Sequence, residues 1–192
     1  MRFPSGSPPR PSEPAAQVTL TIVEAELCHV AAIQAIYAHW VTTGLASFEE
    51  TPPDLAEMDR RRREVQARSL PYLACLEGTK LLGFAYAGPY RTRPAYRHTV
   101  EDSVYVAPDA HGRGVGRALL GRLIEFAEAR MLRQMVAVIG DSANHASIGL
   151  HEALGFERVG VLRSVGFKHG RWVDSVLMQR ALGPGDGTLP QD

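Results

Sequence analysis

The clearest periodic pattern in the chain runs from Val115 to Met131. There Val115, Leu119, Leu120, Leu123, Ile124, Ala127 and Met131 recur at three-and-four spacing, while Arg117, Arg122, Glu125, Glu128 and Arg130 take the other side. This predicts one amphipathic helix, opened by a glycine-rich turn from His111 to Gly116. Upstream, Val18 to Val23 alternates Thr with apolar residues and predicts a strand. A helix follows from about Glu26, with Leu27, Val30, Ala31, Ile36, Tyr37 and Trp40 on one face. A loop holding Gly44, Ser47 and Phe48 ends at Pro52-Pro53, and Asp54 caps a second helix reaching about Arg68, with Leu55, Met58 and Val65 inward. Tyr72 to Glu77 and Lys80 to Ala87 flank Gly78-Thr79 as a hairpin, and Thr99 to Val106 is a β-branched strand stopped by Ala107-Pro108-Asp109.

Beyond the central helix, Met135 to Ile139 is short and apolar enough for a buried strand. A helix from about Ala143 to Leu154 ends at Gly155, with Ala146, Leu150, Ala153 and Leu154 as its core stripe. Val159 to Phe167 and Trp172 to Met178 form a closing hairpin around Lys168-His169-Gly170-Arg171. This order predicts an α+β fold, a three-layer α/β sandwich with a mixed, mostly antiparallel sheet flanked by helices.

Composition changes the picture at the ends. Residues 1–16 and 183–192 are rich in Pro, Gly and Ser and predict disordered tails, so one folded domain spans 17–182 of the 192 residues. Neither tail has the apolar core of a signal peptide, and no stretch has the length of a membrane span. The formal net charge is zero, which gives no support to nucleic acid or an anionic membrane as partner and favours a small-molecule ligand. The run Arg60 to Arg63 reads as a solvated helix face. Two cysteines, Cys28 and Cys75, stand in apolar surroundings and predict buried, reduced thiols in a cytoplasmic protein; the seven histidines show no metal-ligand spacing.

Chemistry is concentrated around the central helix. Glycines at a helix N-terminus leave the first backbone N–H groups open to an anion, and Arg113 and Arg117 add charge. A Walker loop requires a Lys and a hydroxyl after its last glycine, and neither follows Gly116. The dinucleotide fingerprint is a poor match as well, because Gly112, Gly114 and Gly116 alternate. Glu101 lies within the strand Thr99 to Val106, where alternation sends Glu101, Ser103 and Tyr105 to one face. It is either an exposed carboxylate on a solvated face or a base made stronger by partial burial. Asn144 and His151 stand seven residues apart and share a helical stripe separate from the core stripe; they are either a cap and a surface histidine or a pair facing a site. Tyr90, Arg91 and Tyr96, with Arg93 and Arg97, precede the Glu101 strand and read either as a clamp for an acidic ligand or as a solvated loop. Phe48 is either a lid or a packing anchor.

The turn resembles the pyrophosphate-binding motif of the GNAT acyltransferases, Arg/Gln-x-x-Gly-x-Gly/Ala, with His111 in place of Arg or Gln. Five further segments carry a closer resemblance, to the phosphinothricin N-acetyltransferase branch of that superfamily. They are Tyr86 to Tyr90, Ala95 to Val106, Val136 to Gly140, Ala146 to Phe156 and Gly166 to Asp174. The resemblance implies the GNAT fold and acetyl-CoA as co-substrate, with no metal. It also implies acetylation of the α-amino group of glutamate-like phosphinates and sulfoximines, phosphinothricin and methionine sulfoximine or sulfone among them. Carried onto matching positions, it implies Glu101 as base and the Val104, Tyr105 and Val106 backbone along the pantetheine arm. Gly112, Arg113, Gly114, Val115, Gly116 and Arg117 would hold the pyrophosphate, and Asn144 would sit near the thioester. His151 stands in the helix that bears the acid of many relatives, and Phe48, Tyr90, Arg91 and Tyr96 are the expected substrate contacts. A homodimer is implied too. Protein N-terminal or lysine acetylation, and a non-catalytic acetyl-CoA-binding module, are the readings set against this one.

Overall fold

The computed structural model describes residues 19–190. Seven strands form one sheet: β1 (Thr21–Glu24), β2 (Tyr72–Glu77), β3 (Lys80–Pro89), β4 (Thr99–Val106), β5 (Gln134–Gly140), β6 (Glu157–Lys168) and β7 (Arg171–Ala181). Four helices cover it: α1 (Val30–Thr43), α2 (Leu55–Ala67), α3 (Val115–Ala129) and α4 (His145–Glu152). The spatial order is β1-β2-β3-β4-β5-β7-β6, and every neighbouring pair is antiparallel except β4 with β5. That parallel pair needs a crossover connection, and α3 provides it. The expected three-layer architecture is present.

The two faces of β3 and β4 are chemically distinct. Phe84 stacks on Tyr72 and Tyr105, and Tyr37 of α1 meets Phe84 and Tyr105 edge-on, so aromatic rings fill the layer between the sheet and α1. On the reverse face Gly83 admits α3 at close range; a Cβ there would lie 3.0 Å from Val115 Cγ1 and 3.2 Å from Leu119 Cδ1. Val115, Leu119, Leu120, Leu123, Ile124 and Ala127 of α3 are all buried, as the periodicity requires.

Several expected core positions point outward, each for a local reason. Met131 is 51% exposed because α3 stops at Ala129 and Met131 itself adopts a left-handed φ of 57°. Leu27 is exposed because residues Leu27–His29 form a separate 3-10 turn before α1, and the α1 face is built instead from Val30, Ile33, Ile36, Tyr37 and Val41. Cys28 lies in that same turn and is exposed, whereas Cys75 in β2 is buried. Leu55, the first residue of α2, is also exposed. Asp54 caps α2 as expected, accepting from the Glu57 N–H at 2.8 Å. The arginines of α2 do more than face solvent, since Arg60, Arg61, Arg62 and Arg63 all pair with Glu49, Glu57, Asp59 or Glu64.

At the C-terminal end Arg133, itself buried, donates to the carbonyls of Gly185 and Leu189 and to Thr188 Oγ1. A segment whose composition alone predicts disorder is thereby fastened to the fold. The expected N-terminal tail, residues 1–16, lies outside the described residues. Among the described residues no helix is long and apolar enough to cross a membrane.

Candidate active site

The pairing of β4 with β5 stops at Asp102↔Ala137, although both strands continue. Beyond that point they part like a fork. Ala107 donates its N–H to Leu82 on β3 at 2.8 Å, so strand alternation turns the peptide groups of Ala107, Tyr105 and Ser103 toward β3 and those of Val104 and Val106 into the fork. Trp40 of α1 takes the Val106 carbonyl through its indole N–H at 2.8 Å. The fork therefore presents a short strand edge to whatever enters it, and an extended ligand with an amide can pair with it.

A cavity of about 390 Å³ follows that edge. Its floor is Val104, Tyr105 and Val106, one rim is Gly112, Gly114, Val115, Gly116 and Arg117, and the other is Asn144, Ser147 and Leu150. Gly112 and Gly114 have φ of 72° and 80°, a region costly for residues with a Cβ, and a Cβ at either would meet nothing within 4 Å. The turn therefore keeps free space over the start of α3. Gly114 is the N-cap and no side chain caps this end, so the first N–H groups of α3 remain open to an anion. Gly116 has a different purpose: a Cβ there would lie 3.1 Å from Leu150 Cδ2, so its lack of a side chain lets α4 approach. Arg117 lines the cavity, but the Arg113 guanidinium is ion-paired with Glu77. His111 stacks on Trp40 with ring centroids 5.4 Å apart.

A second cavity, of about 280 Å³, joins the first at Val104, Tyr105, Asn144 and Ser147. Glu101, Asp102, Ser103, Tyr86 and Phe48 line it. Glu101 is half-buried, and burial raises its pKa above the ordinary carboxylate value, helped by the negative charge of Asp102 and opposed by Arg91. Phe48 is 43% exposed with its ring against Gly166, where a Cβ would come within 2.8 Å, so it is both a cavity wall and an anchor. Tyr90, Arg91 and Tyr96 form a cluster of their own in the loop before β4. The Arg91 guanidinium lies 4.9 Å from the Tyr90 ring centroid and the two tyrosine rings are 5.7 Å apart. They do not line either cavity; only the charge of Arg91 reaches Glu101.

Asn144 caps α4, accepting from the Ser147 N–H at 3.2 Å, and lines both cavities. His151 is buried, not turned to the surface, and bonds Asp102 and the Ser147 carbonyl. The inward face of α4 is wider than expected: Leu150 and Leu154 pack against the core as the stripe requires, but Ile148 and His151 are buried as well, while Ala146 and Ala153 are exposed. The helix is only two turns long, and its packing against β5 and β6 fixes its rotation more strongly than four apolar residues do.

Sequence reasoning overlooked Asp102, Trp40 and Tyr86. Asp102 carried a readable signal, because alternation puts it with Val100 and Val104 on a core face, where a carboxylate requires a partner. Trp40 and Tyr86 carried none beyond their apolar periodicity.

The model of the acetyltransferase (GNAT) family matches residues 33–156. A phosphinothricin N-acetyltransferase from Alcaligenes faecalis is 61% identical over 160 residues, covering 83% of this chain and 81% of its own length. An L-methionine sulfoximine/L-methionine sulfone acetyltransferase from Pseudomonas aeruginosa is 42% identical over 172 residues, 87% of this chain and 97% of that one. The crystal structure of a GNAT superfamily phosphinothricin acetyltransferase from Sinorhizobium meliloti in complex with AcCoA superposes with a TM-score of 0.88 at 44% identity, covering 91% of this chain and 94% of that one.

Proposed function

This chain belongs to the acetyltransferase (GNAT) family, and we propose that it moves the acetyl group of acetyl-CoA onto the α-amino nitrogen of a small acidic amino-acid analogue of the phosphinothricin or methionine sulfoximine and sulfone type. One observation carries this reading: a half-buried carboxylate of raised pKa, Glu101, stands in the cavity that joins the glycine-lined one. The acceptor class rests on the relatives' names together with the arginine and tyrosine cluster beside β4.

The residues fit acetyl-CoA. The open helix end with Arg117 suits its pyrophosphate, with Arg113 a more distant charge, and the edge formed by Val104 and the Val106 N–H suits its pantetheine amides. Asn144, at the junction of the cavities, lies where a thioester drawn along that edge would end. The bound co-substrate supplies an activated acyl carbon. Glu101 takes a proton from the substrate ammonium, directly or through one water, and so frees a lone pair on nitrogen. A C–N bond then forms, the C–S bond breaks, the Val104 amide N–H faces the developing oxyanion, and the second proton lost by nitrogen passes to the departing thiolate or to water. A thiol with pKa near ~8.5 leaves as thiolate without a protein acid. Arg91, whose charge reaches Glu101 from the loop before β4, attracts the acidic end of the acceptor, with Tyr90 and Tyr96 beside it, and Phe48 walls the cavity that holds the acceptor.

A non-catalytic acetyl-CoA-binding module has no use for Glu101. A protein N-terminal or lysine acetyltransferase calls for an open acidic groove, whereas the loop leading into β4 carries Arg91, Arg93 and Arg97. A homodimer is part of the proposal. β6 is an edge strand, and Val159, Val165, Phe167 and Trp172 on the closing hairpin are each more than half exposed, an apolar surface that a second copy would cover. The cytoplasm is the proposed compartment, in keeping with two free cysteines. The test is acetyl-CoA-dependent thiol release measured across phosphinothricin, methionine sulfoximine, methionine sulfone, glutamate and short peptides. Turnover of the first three well above peptides supports the proposal, and the reverse order overturns it.

A further inference from the structure

The last residue of β4 to pair with β5 is Asp102, at the apex of the fork. Its strand neighbours are Ala87 and Ala137, two small residues that leave room above the sheet. His151 of α4 fills that room, its Nε2 lying 3.0 Å from Asp102 Oδ2 and its Nδ1 2.7 Å from the Ser147 carbonyl. Both side chains are nearly inaccessible, at 4% and 2% exposure, and the Phe156 ring meets the imidazole edge-on. A carbonyl oxygen only accepts, so Nδ1 carries a hydrogen. An ionised carboxylate also only accepts, so Nε2 carries one too. With both hydrogens in place the ring is an imidazolium whose two N–H groups are committed to Asp102 and Ser147, so it has no lone pair to take a proton from a substrate and no N–H directed at a leaving thiolate.

We propose that Asp102 and His151 are a positioning pair for the acetyl transfer: a salt bridge kept through turnover that fastens α4 to the strand bearing Glu101, while the Asp102 carboxylate strengthens Glu101 as a base from the opposite face of β4. The second half of the statement rests on the proposed role of Glu101. His151 is then not a general acid. Its task is to set α4 in register, and with it Asn144, two turns earlier at the junction of the two cavities.

A buried ion pair recovers its desolvation cost poorly, so its use lies more in specifying one arrangement than in adding stability. Here the arrangement specified is the angle of the fork. The charges around the pair are few. Burial opposes the charge on His151, and the Asp102 carboxylate and Ser147 carbonyl outweigh it, leaving the imidazole pKa raised. Glu101 feels burial first, then Asp102, with Arg91 acting the other way. Asp102 Oδ1 is buried without a hydrogen-bond partner, so His151 is the partner holding this carboxylate.

The test has two readouts on the full-length protein. Isotope-labelled histidine is followed by NMR in the wild type, with the His151 signal assigned by its loss in H151Q. The expected result is a ring still doubly protonated at a pH above the ordinary histidine value of ~6.5, where an unperturbed imidazole has lost its proton. A neutral ring at that pH overturns the pair whatever the enzyme acetylates. The second readout is the pH dependence of kcat/KM for phosphinothricin in the wild type and in D102N. Removing the like charge beside Glu101 moves the acid limb to lower pH. A protonated ring with an unmoved acid limb overturns the effect on Glu101. Loss of all wild-type turnover counts against the proposed function and leaves the NMR result standing. If D102N fails to fold, D102E keeps the charge and is expected to retain the raised acid limb; a limb lowered in D102E contradicts the proposal.

Discussion

Trp40 donates its indole N–H to the carbonyl of Val106 at 2.8 Å, binding α1 to the last residue of β4 where the sheet has forked. The same ring stacks on His111, so one side chain joins α1, the strand edge and the glycine turn. Trp40→Phe keeps an aromatic surface and removes the donor. A net hydrogen bond is worth about 0.5–1.5 kcal/mol, so the KM for acetyl-CoA is expected to rise roughly threefold to tenfold with kcat little changed. Steady-state kinetics with acetyl-CoA varied is the check, and a lowered kcat at unchanged KM would place Trp40 elsewhere in the mechanism.

Gly114 caps α3 at a φ of 80° with open space where a Cβ would be. Gly114→Val introduces left-handed strain of about 1–2 kcal/mol without a clash in the free protein, so the variant is expected to fold with a lowered Tm. Its branched side chain enters the open space where the pyrophosphate is proposed to sit, and acetyl-CoA affinity is expected to fall more than tenfold. Calorimetric titration decides; wild-type affinity in a folded variant would move the cradle to another part of the chain.

The parts of the fold that were legible are those where one face decides the outcome. The α3 stripe, the β2–β3 hairpin and the Glu101, Ser103, Tyr105 alternation all survive because a slip would expose a whole buried face. The fork was not legible. Strand β5 is apolar on both sides of Ala137, β4 keeps the same alternation through Glu101, Asp102 and Ser103, and neither pattern marks where pairing stops. Glu101 was visible as an acid inside a strand. Its relation to Asp102 and His151 depends on where α4 docks, which two turns of helix do not encode.

Arg91 lowers the pKa of Glu101 while burial and Asp102 raise it. Arg91→Ala therefore has two consequences. The KM for acidic acceptors is expected to rise about tenfold or more while neutral analogues are less affected, since an arginine hydrogen bond to a charged group contributes roughly 1.5–3 kcal/mol. The acid limb of kcat/KM should also move to higher pH, because a positive charge near the base is gone. Equal losses for neutral and acidic acceptors would reduce Arg91 to a loop residue.

The raised pKa of Glu101 makes a stability prediction whose sign is fixed by linkage. The folded state holds this proton more tightly than the unfolded state. The contribution to stability is therefore full below the unfolded value of ~4.3 and is lost as pH rises through the folded value. At neutral pH the ionised carboxylate is a net cost, so Glu101→Gln is expected to melt higher than wild type near neutrality. That advantage should shrink toward pH ~4, and a Tm difference independent of pH contradicts the burial account.

Glu101→Gln also tests the central claim, that this carboxylate is the base of an acetyl transfer within the fork. The measurement is kcat for phosphinothricin with saturating acetyl-CoA across pH, beside acetyl-CoA affinity measured by titration. The account predicts a fall in kcat of about a hundredfold or more near neutral pH, nearly unchanged acetyl-CoA affinity, and partial recovery as alkaline pH deprotonates the amine unaided. Full kcat at neutral pH in the folded variant would contradict it.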